Sequence, residues 1–491
     1  MTVVKRQGIK NVLYGYVGIL LGIISTLYVQ PFFLTKEQIG ITRLIISIST
    51  IFASISCLGI ASIIVKFLPL FYNKEKKHQG FFTLAIVFPL TGFIICLFLV
   101  FLLKASILSF YSKNADILTD YFLPITFIAL FNCFIFGFSA YCNAINKSSS
   151  SAFVNEIVNR VGFIVCILLF SYGITNQNVY IYSLSVIYFI QLAFLYIIIS
   201  HFDHPTFRFS FFYDNPHLKD IIKFGVVSVF IQITGICIKF IDIILIGKYE
   251  SMAQVGIYGI AAFIGLVIET PLNALDKIVG TKIAKLFVQN NLSEIEKIYK
   301  LSSKYLMIFC GLLVSVLIVC IKPILELLPT DYSSGAMVTI IICIGAFFNS
   351  ATGVNYSILI YSNHYRLGAI FYSTLLVLTV ILNMILIPLY GITGAAIATC
   401  IGSVLHNLLR LIFLKTKLNM QPFTMASLKI VLIIVLSILV GYAIGIENRY
   451  LLIIARGISS SLAFVGLLIF LKVFSVKEIK EEIASFKKIF T

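Results

Sequence analysis

Five ionisable side chains lie well inside long apolar stretches. Arg43, Lys239 and Arg456 are cations; Asp242 and Glu269 are anions. A charge at the centre of a membrane helix costs about 2.5–3.5 kcal/mol on insertion scales, so each marks a place where function competes with stability. Their possible chemistry is narrow. Arg and Lys grip oxyanions, and Arg does so at two points on a phosphate or carboxylate. A carboxylate holds a proton or a metal cation. Amide and hydroxyl side chains recur in the same kind of setting: Asn132 and Asn143, then Asn349, Thr352, Asn355 and Tyr356. Such groups satisfy sugar hydroxyls once water is stripped away.

Each candidate has a purely structural alternative, and at this level both stay open. Lys239 and Asp242 are three residues apart and can neutralise each other on one helix face. Arg43 and Arg456 lie a turn or two from the expected outer end of their helices and can snorkel to the interface, which is the expected behaviour of Arg456. The asparagines can be plain interhelical hydrogen bonds. Glu269 has no obvious neighbour in sequence and is the first candidate for ion or proton coupling, with Asp242 beside it. Nearer the expected cytoplasmic ends lie Glu156, Arg160, Asp276, Lys277 and Arg410. The stretch His201-Phe202-Asp203-His204 has the look of a metal pair but no third ligand, and is expected to be solvated loop.

The elements that must position these residues are membrane helices. The 491 residues are 60% hydrophobic and only 12% charged, with mean hydropathy +1.04. A soluble domain is about one-quarter charged. At about 20 apolar residues per crossing, the chain holds about fourteen spans. Their expected limits are 11–33, 41–65, 81–103, 121–145, 152–172, 180–200, 221–246, 257–280, 305–325, 338–361, 368–389, 392–414, 427–446 and 450–474. The fold class is therefore an all-α polytopic membrane protein. Lipid offers no partner to unpaired backbone, and the runs are too long for barrel strands.

The net charge of +17 falls in short loops. It is read as topology, with no nucleic-acid partner. Lys74, Lys76, Lys77, Lys282, Lys285, Lys297, Lys300, Lys304, Lys415 and Lys417 collect on one side, which places both termini in the cytoplasm. The ten Cys are scattered singly in apolar runs and lack any Cys-x-x-Cys, so they read as small hydrophobes. The basic start, MTVVKRQGIKN, leads into an uncleaved first span. Ser293-Glu294-Ile295-Glu296 reads as a capping-box helix start. The tail at 475–491 places Val476, Ile479, Ile483 and Phe486 on one stripe and reads as an amphipathic helix on the membrane. The outer turns are short, which leaves little room for a catalytic loop and excludes a glycan polymerase or ligase.

An internal repeat organises the spans. "QIGI" at Gln38–Ile41 is echoed by "QVGI" at Gln254–Ile257, "ALFN" at Ala129–Asn132 by "AFFN" at Ala346–Asn349, and Asn146-Lys147 by Asn363-His364, all at an offset of 216 or 217. The repeat implies two six-helix lobes of like orientation, 1–200 and 221–414, joined by a cytoplasmic linker at 201–220. Two additional helices follow within 427–474. Arg43 has Gly259 at its repeat-related position, so its charge is a one-sided addition.

The order of spans and three segments resemble the polysaccharide transporters, or O-antigen-type flippases, of the multidrug/oligosaccharidyl-lipid/polysaccharide exporter superfamily. The segments are "DIILIG" (Asp242–Gly247), "VGIYGIAAFI" (Val255–Ile264) and "YGITGAAIAT" (Tyr390–Thr399). The resemblance implies two lobes about a central cavity in a bacterial cytoplasmic membrane. It implies alternating-access export of a lipid-linked oligosaccharide, as in O-antigen lipopolysaccharide biosynthesis. No cofactor is expected, and a proton or sodium gradient is the expected drive. Expected partners are the lipid-linked substrate, membrane lipids and a glycan polymerase or glycosyltransferases. Substrate contacts are expected from Arg43, Lys239, Asn132, Asn349, Asn355 and Tyr356, with Glu269 and Asp242 for coupling. The alternative is a cation-coupled multidrug exporter of the same superfamily.

Overall fold

A computed structural model describes residues 3–73, 77–212 and 217–473. Among these residues there is helix and no strand. The amphipathic tail expected at 475–491 lies outside the described residues. The long helices are α1 (Val3–Ile23), α2 (Lys36–Ser56), α3 (Ile60–Phe71), α4 (Phe81–Leu102), α5 (Phe122–Ala144), α6 (Asn159–Ser171), α7 (Gln177–Asp203), α8 (Leu218–Tyr249), α9 (Met252–Leu266) and α10 (Thr270–Val288). They continue with α11 (Leu292–Glu326), α12 (Gly335–Ala351), α13 (Asn355–Tyr361), α14 (Tyr365–Leu418), α15 (Met425–Tyr442) and α16 (Arg449–Phe470).

Twelve described helices are long and apolar enough to cross a membrane, or 13 with α12 and α13 taken as one span bent by 51°. The α14 helix is 54 residues long. At about 1.5 Å per residue it would reach more than twice across a hydrocarbon core of about 30 Å. It is in fact two spans joined at Gly391, whose φ of 57° and ψ of −139° are not helical. With that division the count reaches the expected fourteen. The tight reversal also needs Gly394, where a Cβ would lie 2.0 Å from the Leu386 carbonyl oxygen. This explains the glycines of the "YGITGAAIAT" segment. The span expected over 41–65 differs from expectation: α2 ends at Ser56 and α3 begins at Ile60, with Leu58 and Gly59 both left-handed between them.

The chain forms two compact units, Met1–Gly259 and Ile260–Thr491. In the first, α2 is the central helix, packed by α4, α5 and α8. It starts with a full capping box, in which the Thr35 hydroxyl accepts from the Gln38 amide and the Gln38 side chain accepts from the Thr35 amide. One turn later its backbone meets the entry of α9. A Cβ on Gly40 would lie 1.8 Å from the Met252 carbonyl oxygen, and a Cβ on Gly256 would lie 2.1 Å from the Lys36 carbonyl oxygen. The contact is reciprocal: each glycine sits on the carbonyl four residues before the other. The two echoed tetrapeptides are therefore two sides of one helix crossing. In the second unit α11 is central, packed by α12, α15 and α16. Met307, Ile430, Ile433 and Phe464 form part of the core beside it. The α11 helix begins earlier than the sequence pattern indicates. Asn291 is its cap and accepts from the Glu294 amide, so Ser293 already lies within the first turn.

The His201–His204 stretch also corrects an expectation. Asp203 is not solvated loop. It is 8% exposed, and it receives the Tyr141 hydroxyl at 2.6 Å and faces His78 Nε2 at 2.8 Å. The Asn73 backbone N–H donates to His78 Nδ1, so the proton of a neutral ring sits on Nε2 and points at Asp203. This buried set ties the loop after α3 to the ends of α5 and α7.

Two outcomes are expected. Gly40→Ala or Gly256→Ala forces two backbones apart and destabilises the protein by about 1–3 kcal/mol or more, whereas Gly15→Ala, which meets nothing within 4 Å, leaves stability unchanged. His78→Ala leaves a buried carboxylate with one donor fewer and costs about 1–3 kcal/mol. Thermal unfolding of the purified variants measures both.

Candidate functional site

Two spans are interrupted, at points that lie in the second unit, where polar residues gather. A 3-10 turn at Val267–Glu269 separates α9 from α10, and Pro271 follows within the first turn. Proline carries no N–H and suits a fresh helix start. The α12–α13 span breaks at Thr352, Gly353 and Val354, and the Thr352 hydroxyl bonds back to the Asn349 carbonyl at 2.7 Å. Irregular backbone at membrane depth is tolerated only where protein or a cavity satisfies it, and in carrier proteins such breaks point to binding sites.

Across these breaks runs a chain of side-chain hydrogen bonds. Arg410 Nη1 donates to Asn355 Oδ1 at 3.3 Å. Asn355 Nδ2 donates to Asn407 Oδ1 at 3.0 Å, Asn407 Nδ2 to Asn349 Oδ1 at 3.0 Å, and Asn349 Nδ2 to Glu269 Oε1 at 2.9 Å. The ends dictate the sense of every link. A guanidinium only donates and an ionised carboxylate only accepts, so the three amides between them must all point one way. Asn407 is the hub. It is 1% exposed, accepts from Asn355 with the Thr352 hydroxyl 3.2 Å from the same oxygen, and also donates to the Ser403 carbonyl. Chains of this kind polarise one another in a low dielectric.

The Arg410 end is walled by aromatic rings. Its guanidinium carbon lies 5.2 Å from the centroids of both Tyr356 and Tyr372, whose rings meet edge-on at 5.6 Å. His406 lies against Tyr372 at 5.0 Å. Arg410 is 4% exposed and His406 5%. Nearby, Ser357 donates to Asp276 Oδ1 at 2.8 Å.

The structure thus brings together Glu269, Asn349, Asn355 and Tyr356. It adds Asn407, His406, Arg410 and Tyr372, whose grouping sequence reasoning missed. Their signal was present: Ser403, His406, Asn407 and Arg410 fall at i, i+3, i+4 and i+7, one polar stripe on an apolar helix.

Arg43, Lys239, Asp242, Asn132, Asn143, Glu156 and Arg160 lie in the first unit and Arg456 in the second, and they do not form one cluster. Arg43 is half-buried on α2 and donates to Gln30 Oε1 at 3.2 Å. Its stem lies over Gly259, where a Cβ would come 3.3 Å from Arg43 Cγ. Asp242 is buried on α8 and receives the Tyr258 hydroxyl at 2.5 Å, while Lys239 is exposed one turn away. Asn132 is buried on α5 beside the Tyr188 hydroxyl, and Asn143 is exposed. Glu156 and Arg160 pair along their own helix at 3.3 Å. Arg456 does not simply snorkel: its guanidinium donates to the Ile444 and Val319 carbonyls, which ties α16 to α11.

Residues 4–275 match the family model described as polysaccharide biosynthesis protein. No curated protein matches the chain in sequence. Among solved structures the chain is similar to the lipid II flippase MurJ in an inward closed conformation, at TM-score 0.72 and 15% identity over 94% of this chain and 98% of that one. It is similar to an inward-facing multidrug resistance MATE family transporter, at TM-score 0.60 and 14% identity over 85% and 98%. The Vibrio cholerae MATE transporter VcmN gives TM-score 0.57 and 14% identity over 85% and 98%. At these identities the likeness is one of fold, the fold of the multidrug/oligosaccharidyl-lipid/polysaccharide exporters.

Asn407→Leu keeps the branched shape of the hub but leaves the Asn349 amide oxygen and the Asn355 amide nitrogen each one partner short. With each such group costing about 1–3 kcal/mol, the expected loss of stability is about 3 kcal/mol, read from thermal unfolding. Asn143→Ala, at an exposed amide, is expected to be neutral in the same measurement.

Proposed function

We propose, since the chain belongs to the polysaccharide biosynthesis protein family, that it is a flippase that carries a lipid-linked oligosaccharide across the bacterial cytoplasmic membrane by alternating access. The protein is a transporter and not an enzyme in this reading, with both termini in the cytoplasm. The observation that carries it is Arg43. A half-buried guanidinium is fixed by Gln30, its stem seated over the bare backbone of Gly259. Such a group suits the polyprenyl-linked pyrophosphate, which needs a cation and directed donors once it leaves water. Lys239, exposed on α8, is the second cation for the same headgroup. Asn132, Asn349, Asn355 and Tyr356 serve the sugars, and the amides of Asn349 and Asn355 must exchange their present partners to do so. Glu269 and Asp242 couple the cycle to a proton or sodium gradient. O-antigen or a related surface glycan is the expected cargo, with glycosyltransferases and a polymerase acting before and after it.

Cation-coupled drug export is the second reading. Buried Asp242 favours it, because a membrane carboxylate suits a cationic drug. Drug resistance that tracks expression, with surface glycan unaltered in a deletion strain, selects that reading and overturns the first.

In a deletion strain, the wild-type gene is expected to restore surface glycan. Arg43→Ala is expected to lower that export about tenfold or more at equal protein level in the membrane. Gly259→Leu is expected to match it, because the new side chain occupies the path of the Arg43 stem. Full export by both variants would remove Arg43 from the substrate path.

A further inference from the structure

The aromatic end of the asparagine chain holds two nitrogen atoms without protein partners. Among the described residues, Arg410 Nε and His406 Nε2 are buried and make no hydrogen bond. Both flank the Tyr372 ring, and Arg410 also flanks Tyr356. Their chemistry differs. Arg410 Nε is a donor in every state. His406 Nδ1 lies 3.2 Å from the Phe371 carbonyl oxygen, and a carbonyl only accepts, so the proton of a neutral ring is on Nδ1 and Nε2 is an acceptor. The cluster therefore offers a cationic donor, a neutral acceptor and two aromatic walls. A ligand that answers all three carries an anionic oxygen, a hydroxyl within a few ångströms and a ring with C–H faces.

We propose that Arg410, His406, Tyr356 and Tyr372 form a binding site for an acidic sugar, with the carboxylate on Arg410 and a ring hydroxyl on His406, and that the asparagine chain lets Glu269 compete for Arg410. The proposal rests on the flippase reading and names the class of glycan. The repeat supports a specific role for the cluster. Positions 216 or 217 earlier than His406 are Ile190 or Phe189, and those before Arg410 are Phe194 or Ala193, all apolar. The first unit has an amide chain of its own, Asn159 to Gln191 to Asn155 to Ser139, and it ends on neutral groups. Holding helices together does not need the charges. Besides His406, Arg410 has Asp276, Tyr299 and Tyr356 as ionisable neighbours, and Glu269 has Cys310 among its own; none of these is a link of the chain.

The test is binding of methyl glucuronoside, methyl glucoside and inorganic pyrophosphate to the full-length protein in lipid nanodiscs. The glucuronoside is expected to bind about tenfold or more tightly than the glucoside. Arg410→Gln is expected to erase that difference and Arg410→Lys to keep part of it, since an ammonium lacks the fork. Glu269→Gln is expected to tighten the glucuronoside severalfold, and Asn407→Leu to abolish that gain. His406→Phe, which keeps the ring, is expected to weaken it and gives a readout if the Arg410 variants do not fold. Equal binding of both glycosides, unaltered binding in Arg410→Gln, or binding of pyrophosphate alone overturns the proposal. Failure of the flippase reading looks different: the glucuronoside binds as predicted while a deletion strain keeps its surface glycan.

Discussion

Much of the first unit depends on one contact between bare backbones. Gly40 and Gly256 let the entries of α2 and α9 approach until each glycine rests on a carbonyl of the other helix. No side chain fits there, so the crossing fixes both register and angle. Its reciprocity has a consequence three residues further on. Arg43 follows Gly40 as Gly259 follows Gly256, and across a two-fold contact the equivalent positions face each other. Two arginines would collide and repel in that space. One arginine opposite one glycine fits, and the stem of Arg43 fills the gap. The one-sided charge is thus what the symmetric crossing permits.

The same pattern holds in the second unit. The frame is built from repeated apolar helices, and ionisable groups are added on one side only. Glu269 corresponds to Ala53 at an offset of 216, and Ala53 is buried in a small apolar cluster with Phe93, Ala129 and Cys133. Charges this deep need a defined outlet. Glu269 and Arg410 find theirs through three amides whose orientation the two ends dictate. A direct ion pair would lock two helices together. An extended chain instead lets one end respond to the other through side-chain rotations, which suits the alternating-access cycle proposed above.

Much of this was legible beforehand because the membrane narrows the choices. Apolar run length gives the helices, and the span count holds once the long α14 helix is divided at Gly391. The "QIGI" and "QVGI" echo identified both partners of the central crossing. The candidates Glu269, Asn349, Asn355 and Tyr356 proved to be neighbours in space. Other features were less legible. Asp203 sat in a polar stretch that looked solvated, yet His78 and Tyr141 bury it from elsewhere in the chain. Arg410 looked like one more cation near a helix end. Its significance depends on Asn355 and two tyrosines supplied by other segments.

The sequence by itself determined the helices, the repeat and the identity of the charges placed in apolar surroundings, because hydrophobic periodicity and local turn chemistry act over a few residues. The tertiary structure alone decided which polar groups share a bond. A buried donor takes whatever acceptor the fold brings within about 3 Å, and for Arg410, Asn407, Asn349 and Glu269 those partners come from helices distant in the chain.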